Sequence, residues 1–287
     1  MHQREIQISG AVVYWSAGPT RRETLRSYLE QIGMEELTPN VRTDAAALKS
    51  ALLEYCANEK TRMFDLGVEP RQNQAKNGFE VMRKKRGAVR NEYEVAFSAR
   101  IESWGGLIVE GDANSEAIQQ AFERHKAQLT GAAIGKLLVD VLGRLGGTTL
   151  RESGGVYWLP EEALPAFERV AAFVEECGEE QGNKVYLLRT AMDEATVRAV
   201  RDAITAEVSK ESEAIVQEVM ENDFGDEALA RRQLMAAALH ARVSQYERIL
   251  GEALGTLHEV VRVAEQAAAA AESVRESNEV FDNLFDA

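Results

Sequence analysis

The last third of the chain carries a long apolar repeat at helical spacing, and this feature constrains the fold more than any other. From Asp193 onward, apolar side chains recur every three or four residues in two stripes, the second covering about five heptads. The residues between the stripes include Gly225, a residue type typical of helix ends. We predict a helical hairpin or coiled-coil arm over 193–287. The sequence leaves open whether the second stripe packs within the chain or between chains.

The acidic residues are concentrated in the same segment. The chain has a formal net charge of −14, and residues 193–287 hold 20 acidic against 9 basic side chains. Residues 1–112 hold 16 of each sign. This asymmetry predicts a well-solvated acidic element in the C-terminal third and a basic contact surface in the N-terminal part.

Residues 1–112 show the patterns of a small α+β head with an antiparallel sheet. The apolar run Ala11–Trp15 predicts a buried strand, and the Thr20-Arg-Arg-Glu23 sequence predicts a capping box that opens a helix. Alternating apolar and polar residues from Tyr93 to Ile101 predict a half-buried strand. The Gly105-Gly106 pair then predicts a hairpin into the apolar run that follows.

Residues 113–192 form the second predicted domain. A helix is expected from Ser115 to about Leu145, then a tight hairpin around Gly154-Gly155, a second helix ending at Cys177 and a last strand before Asp193. With the strand before residue 113, the order is β-α-β-β-α-β, which is the ferredoxin-like order. A winged-helix unit is the alternative. The complete chain is therefore predicted to be an α+β protein with a long helical arm.

A run of four cations marks a candidate nucleic-acid contact in the head. Consecutive cations are tolerated where an anionic partner or solvent takes up their charge, and aromatic neighbours can stack on bases. The candidate residues are Arg83, Lys84, Lys85, Arg86 and Arg90, with Phe79 and Tyr93 beside them. The alternative is a charged hairpin turn that protects a sheet edge.

The candidate partner-binding residues lie on the arm. The second stripe supplies a self-association or docking surface, and the C-terminal end adds bulky apolar groups in an acidic setting. These residues are Leu239, Val243, Tyr246, Leu250, Leu257, Phe281, Leu284 and Phe285. The last three either dock on the fold or form a short peptide for a partner.

No motif in the sequence specifies a reaction. The segment Gly131–Leu137 is one residue short of a phosphate-binding loop and lacks its Ser or Thr, so it predicts close packing instead. The four histidines are scattered, and Cys56 and Cys177 have no metal-binding spacing, which is typical of packing residues in a reducing compartment. We expect no catalytic residues, metal or cofactor, no membrane association and a cytoplasmic location.

The block Gly154-Gly-Val-Tyr-Trp-Leu-Pro160, together with Tyr14-Trp15 at the end of the first strand, resembles an uncharacterised family of prokaryotic and phage proteins. The resemblance implies a prokaryotic or viral source. The combined expectation is a non-enzymatic binding protein of a nucleic-acid, phage or antiviral-defence process that oligomerises or docks through its C-terminal helices. The alternative is a purely structural or regulatory subunit that binds only proteins.

Overall fold

The computed structural model describes residues 8–59, 68–73, 77–86, 91–151, 155–179, 182–221 and 225–285. The strands are β1 (Ile8–Ser16), β2 (Thr20–Arg21), β3 (Val68–Gln72), β4 (Gly78–Arg86), β5 (Asn91–Ile101), β6 (Leu107–Gly111), β7 (Gln128–Leu129), β8 (Thr148–Thr149), β9 (Tyr157–Pro160) and β10 (Lys184–Ala191). The helices are α1 (Arg22–Gln31), α2 (Asp44–Glu59), α3 (Ser115–Ala127), α4 (Gly131–Arg144), α5 (Leu164–Cys177), α6 (Glu194–Glu221), α7 (Asp226–Leu250) and α8 (Gly255–Phe285). The predicted α+β class with its long C-terminal helical region is confirmed.

The chain forms two compact units that cut across the three predicted domains. The first unit comprises Met1–Trp15, Leu138–Ala171 and Val185–Ala287, and the second comprises Ser16–Leu137 and Ala172–Lys184. The physical reason is strand pairing between segments that are distant in sequence. Because β1 pairs with β9, the N-terminal strand belongs with the C-terminal helices and not with the strands that follow it.

The first unit contains a four-stranded sheet in the order β10-β1-β9-β8. β1 and β9 are antiparallel, with Val12 opposite Trp158, and both side chains pack towards the core that includes α6. A Cβ on Gly10 would lie 2.5 Å from the carbonyl oxygen of Leu159, so only glycine allows this close approach. The small sheet is therefore a platform for the helices.

This sheet corrects the ferredoxin-like arrangement predicted for 113–192. In that arrangement, β6 and the three later strands would share one sheet. In the structure, β6 pairs with β5, while β1 lies beside both β9 and β10. The strand that completes the sheet comes from the N-terminus, which the order of elements within 113–192 does not indicate.

The C-terminal region is a three-helix bundle within the chain and not a two-helix hairpin. α7 ends where Gly251 adopts a left-handed conformation with φ 65°, and α8 begins four residues later. Ion pairs from Arg242 to Glu207 and from Arg232 to Glu218 show that α6 and α7 run antiparallel. The predicted continuous second stripe is therefore divided between α7 and α8, which pack on each other and on α6.

The buried residues of α8 differ in part from those of the predicted stripe. The predicted stripe continued through Val260 and Ala267, whereas the fully buried residues are Val261, Ala264 and Ala268. Leu257 and Ala264 of that stripe are buried, so the stripe keeps its phase across the loop, and only at alternate turns do Val261 and Ala268, one position later, point into the core. Val260 is left at the edge of the α6–α8 contact.

The second unit holds the predicted antiparallel sheet, in the order β3-β4-β5-β6. Alternate residues of β4 and β5 pack against α2 and α3, because a strand turns successive side chains to opposite faces. This core contains Ala47, Leu48, Ala51, Leu52, Cys56, Phe79, Val81, Phe97, Ala99, Ile118, Ala121 and Phe122. The β5–β6 hairpin matches the predicted strands and turn.

The predicted capping box at Thr20 is wrong. Thr20 lies in β2, opposite Leu129 of β7, and its buried hydroxyl donates to the carbonyl of Gly18 at 3.1 Å. Asn183, also buried, donates to the same hydroxyl oxygen at 2.9 Å and accepts from the amide of Gly18 at 2.9 Å. The hydroxyl therefore stabilises a β-bridge and loop, and it is not available for the first turn of α1.

The single helix predicted from Ser115 to about Leu145 is interrupted. α3 ends at Ala127, the two residues of β7 pair with β2, and α4 starts at Gly131. A Cβ on Gly131 would lie 2.1 Å from the carbonyl oxygen of Ala17. This agrees with the close packing predicted for Gly131, although the packing partner is a loop.

Candidate functional site

The basic run lies on a strand and not in a turn. Arg83, Lys84, Lys85 and Arg86 occupy the last four positions of β4, in antiparallel register with Glu94, Tyr93, Glu92 and Asn91 of β5. The β4–β5 pairing therefore continues to the end of the run. Residues 87–90, which include the predicted contact Arg90, lie outside the described part of the chain.

The register leaves an excess of positive charge at this end of the sheet. Opposite charges directly across an antiparallel pair stabilise each other. Arg83 and Lys85 have Glu94 and Glu92 as their register partners. Lys84 and Arg86 have the uncharged residues Tyr93 and Asn91 as register partners. The four residue pairs therefore contain four cations and two carboxylates.

Phe79 is not part of this basic surface. Its side chain is only 7% exposed and packs with Val81 and Phe97 in the core beneath α2 and α3. Its position on the sheet explains why, since it shares the buried face with those residues. The predicted stacking role of Phe79 is therefore wrong, and Tyr93 remains the aromatic residue in register with the basic run.

At the other end of the sheet, one arginine lies between two carboxylates. Arg100 donates to Glu102 at 2.9 Å and to Glu110 at 2.7 Å. These two carboxylates raise the pKa of Arg100 above its ordinary value. In the β4–β5 register, the cations of β4 without an acidic partner in β5 are Lys84 and Arg86, near the end of the strand.

The predicted partner residues of the second stripe form the core of the bundle. All five have little or no exposed surface in the structure: Leu239, Val243, Tyr246, Leu250 and Leu257. They pack with Val200, Ile204 and Val208 of α6. This corrects their predicted role, because residues buried within one chain present no surface to another. Phe281, Leu284 and Phe285 lie in the last turns of α8, and their side chains are outside what the structure describes.

Exposed apolar residues on the bundle were missed by the sequence analysis. Met220 is 79% exposed, Leu234 72%, Val263 50% and Met235 44%. A groove of about 650 Å³ runs between α6 and α8, and Val216, Met220, Val260 and Val263 line it. Leu234 and Met235 could have been found as adjacent apolar residues, because a helix cannot turn both towards one core.

A network of charged side chains joins the three-helix bundle to the β10-β1-β9-β8 sheet of the same unit. Arg242 donates to Glu207 at 2.9 Å and to the carbonyl of Gly147 at 2.6 Å. Thr148 donates to the other oxygen of Glu207 at 2.6 Å. Burial raises the pKa of Glu211, one turn away, against the opposing effect of Arg242. Both oxygens of the Glu207 carboxylate are therefore bonded, and the network links α6 and α7 to the small sheet.

A second hydrogen-bonded network surrounds His125, the only histidine in the described part of the second unit. Arg42 donates to Nδ1 of His125 at 3.0 Å, and Nε2 of His125 lies 2.9 Å from Glu54. A guanidinium has no acceptor atom, so Nδ1 of His125 accepts the hydrogen bond from Arg42. Nε2 therefore carries the ring hydrogen and donates a hydrogen bond to Glu54. Arg124 also donates to Glu54. Both ring nitrogens are therefore occupied, and the arrangement leaves His125 no free nitrogen to act as a base.

The cavity beside this network shows no charge preference. It measures about 810 Å³ and is lined by Arg21, Arg124, Glu54 and Glu179 together with backbone of four loop residues. The two cations and two carboxylates give the lining a formal net charge of zero. Within the described ranges, no group of three His, Cys, Asp or Glu side chains is placed to hold a metal ion.

Both cysteines are buried, as the packing role predicted for them requires. Burial raises the pKa of the Cys177 thiol to about 11, so the reactive thiolate is disfavoured. Among the helices that the structure describes, none combines the length and apolar character needed to cross a bilayer.

Comparison with known proteins gives a family but no characterised relative. No curated protein and no solved structure matches the chain. One family model, described as a family of unknown function (DUF6744), matches residues 9–277. Since that match covers both compact units almost completely, the chain belongs to the DUF6744 family.

Proposed function

We propose that the protein is a non-enzymatic binding protein that contacts nucleic-acid phosphates through the β4–β5 hairpin and assembles through its C-terminal helices. The observation that carries the proposal is the run of four cations, Arg83–Arg86, on paired strand positions with only two opposing carboxylates. A strand holds its backbone in an extended, fixed geometry, so ordering these positions costs less than ordering a free loop.

The dimensions of the run fit a phosphate backbone. Four strand residues span about 10 Å at roughly 3.3 Å per residue. Because successive residues of a strand point to opposite faces, one face of the run presents two of the four cations, about 7 Å apart, and a DNA strand with a phosphate about every 3.4 Å along the helix axis offers two phosphates over that length. Contacts of this kind are independent of sequence, and Tyr93 adds a ring for an unpaired base. We therefore expect binding that is sensitive to salt and insensitive to sequence.

The proposed setting is the cytoplasm of a prokaryote, in a phage or antiviral-defence process. The two cysteines, Cys56 and Cys177, are buried in helices as thiols, which is consistent with a reducing compartment. The resemblance of the Gly154–Pro160 block to prokaryotic and phage proteins supports the biological setting. Neither argument depends on the nucleic-acid contact.

Fluorescence anisotropy with labelled single-stranded and double-stranded oligonucleotides tests the proposal. The test variant changes Arg83, Lys84, Lys85 and Arg86 to Ala. We expect its Kd to rise at least tenfold for the form that the wild type binds. A wild type that binds neither form, or a variant that binds as tightly as the wild type, contradicts the proposal.

A control variant changes the net charge by the same amount elsewhere. Four exposed cations that already have carboxylate partners are changed to Ala: Arg26, Lys126, Arg189 and Arg262. Because their charge is compensated locally, we expect a Kd within about twofold of the wild type. Equal losses in both variants would show that only the net charge matters.

The second candidate function is a structural or regulatory subunit that binds proteins alone. The specific observation in its favour is the exposed apolar surface of the bundle, with Met220 and Leu234 both more than 70% exposed. Bulky apolar groups left this exposed are typical of interaction sites. Association of the chain without any nucleic-acid binding would select this function over the first.

A further inference from the structure

We infer that the groove between α6 and α8 binds the exposed face of α7 from a second copy of the chain, so that copies associate head to tail. This inference rests on the assembly part of the proposed function and specifies its surfaces. It does not depend on nucleic-acid binding.

The groove is apolar inside and acidic at its rim. Val216, Met220, Val260 and Val263 line it, with Met220 79% and Val263 50% exposed. Glu213 and Glu221 of α6 also border it. An apolar groove of about 650 Å³ with this form suits an amphipathic helix, whose apolar residues recur every three or four positions.

The exposed face of α7 has the complementary form. Leu234 is 72% exposed and Met235 44%. Ala238 and Ala241, also exposed, continue from Leu234 at spacings of four and three residues along the helix. A bulky residue followed by alanines lets the backbone of α7 approach a neighbouring helix pair closely.

The charges identify the occupant as another copy of this chain. Two of the four arginines of α7, Arg232 and Arg242, pair with carboxylates of α6 in the same chain, which leaves Arg231 and Arg248 for an outside partner. α6 has seven carboxylates against three cations, and α8 has six against two. Arg231 and Arg248 are exposed on α7, while the groove rim is acidic. Complementary potentials of this kind favour association and fix its orientation.

The contact joins two different surfaces, which determines the form of the assembly. The groove belongs to α6 and α8, whereas the apolar face belongs to α7. A contact between unlike surfaces leaves one unused surface at each end of every assembly. The mass should therefore grow with concentration beyond a dimer, unless the contact closes into a ring.

Two single substitutions separate the surfaces. Leu234→Glu disables the α7 face, and Val263→Glu disables the groove. Both side chains are at least half exposed, so neither change disturbs the core, and circular dichroism checks the fold. Leu188→Glu, at a 55% exposed position on β10, is the matched control.

Sedimentation velocity on full-length chains gives the readout. We expect wild type and Leu188→Glu to associate, and each of the other two variants alone to associate at least tenfold more weakly. An equimolar mixture of Leu234→Glu and Val263→Glu should form a heterodimer that does not grow further, because each supplies the surface that the other lacks.

Three results would overturn the inference. They are a mixture that stays monomeric, association that survives either substitution, and wild-type association that stops at a symmetric dimer. A wild type that is monomeric at all concentrations would also remove the assembly part of the proposed function. Anisotropy on the same variants shows separately whether the nucleic-acid contact stands.

Discussion

Arg242 of α7 reaches across the bundle and donates a hydrogen bond of 2.9 Å to Glu207 of α6. Its side chain is only 16% exposed, and it also donates to the carbonyl of Gly147. This pair is more buried than the Arg232–Glu218 ion pair between the same two helices. It therefore fixes the register of α7 against α6.

Arg242→Met should destabilise the first unit by about 3 kcal/mol, because it leaves the carboxylate of Glu207 partly buried beside Glu211 without its cation. Urea unfolding followed by fluorescence measures the loss, since Trp158 lies beside Tyr246 in the same core. The control is Arg262→Met. Its pair with Glu259 is more than half exposed on both sides, so we expect a change of less than about 0.5 kcal/mol. Equal effects from the two substitutions would show that burial of the pair is unimportant.

Asn183→Ala should destabilise the second unit by about 3 kcal/mol. Asn183 is 1% exposed and bonds to Gly18, Thr20 and the carbonyl of Val174, so its removal leaves several buried polar groups unsatisfied. Asn114→Ala, which removes only the exposed N-cap of α3, should cost about 1 kcal/mol. Thermal unfolding of both variants compares them, and a smaller loss for Asn183→Ala would contradict the assigned role.

Glu54 should make the second unit less stable in acid. Partial burial raises its pKa, but Arg124 and His125 outweigh that effect and hold the pKa below the ordinary value. The unfolded state therefore binds the proton more tightly. The stabilisation is complete above about pH 4.3 and is lost as the pH falls through the folded-state pKa.

Glu54→Gln should remove this pH dependence. Because the Glu54 side chain is 39% exposed, we expect a loss below about 1 kcal/mol at pH 7 that shrinks towards zero in acid. Unfolding free energies from pH 3 to 7 measure the difference between variant and wild type. A difference that does not change with pH would show that the carboxylate charge has no part in it. Glu30→Gln, in an exposed pair with Arg26, controls for loss of a surface charge.

The helices were predictable from sequence because their apolar residues repeat locally. The break at Gly251 was not, since Leu250, Ala253 and Leu257 continue the heptad pattern through it. Only the left-handed conformation of Gly251 and the packing of α8 back on α7 show that the chain turns back. Local periodicity thus predicted helix without predicting which helices pack together.

Long-range pairing explains the other differences. Nothing near Ala11 or Leu159 in the sequence shows that these two residues are opposite each other in one sheet. Phe79 was placed beside the cations because it is close in sequence, but strand alternation buries it. Thr20 fits a helix cap locally, and only the distant Asn183 shows what its hydroxyl does. In each case the deciding partner lies far along the chain.

The salt dependence of oligonucleotide binding tests the central claim most directly. Each phosphate contact contributes about 0.9 to the slope of log affinity against log salt for duplex DNA and about 0.7 for a single strand. Two cations of the basic run, Lys84 and Arg86, have uncharged register partners. We therefore predict that the four-alanine variant of Arg83–Arg86 loses about two phosphate contacts and shows a correspondingly shallower slope. The control variant at Arg26, Lys126, Arg189 and Arg262 should keep the wild-type slope. Equal slopes for the wild type and the Arg83–Arg86 variant would contradict the claim that this hairpin binds the phosphate backbone.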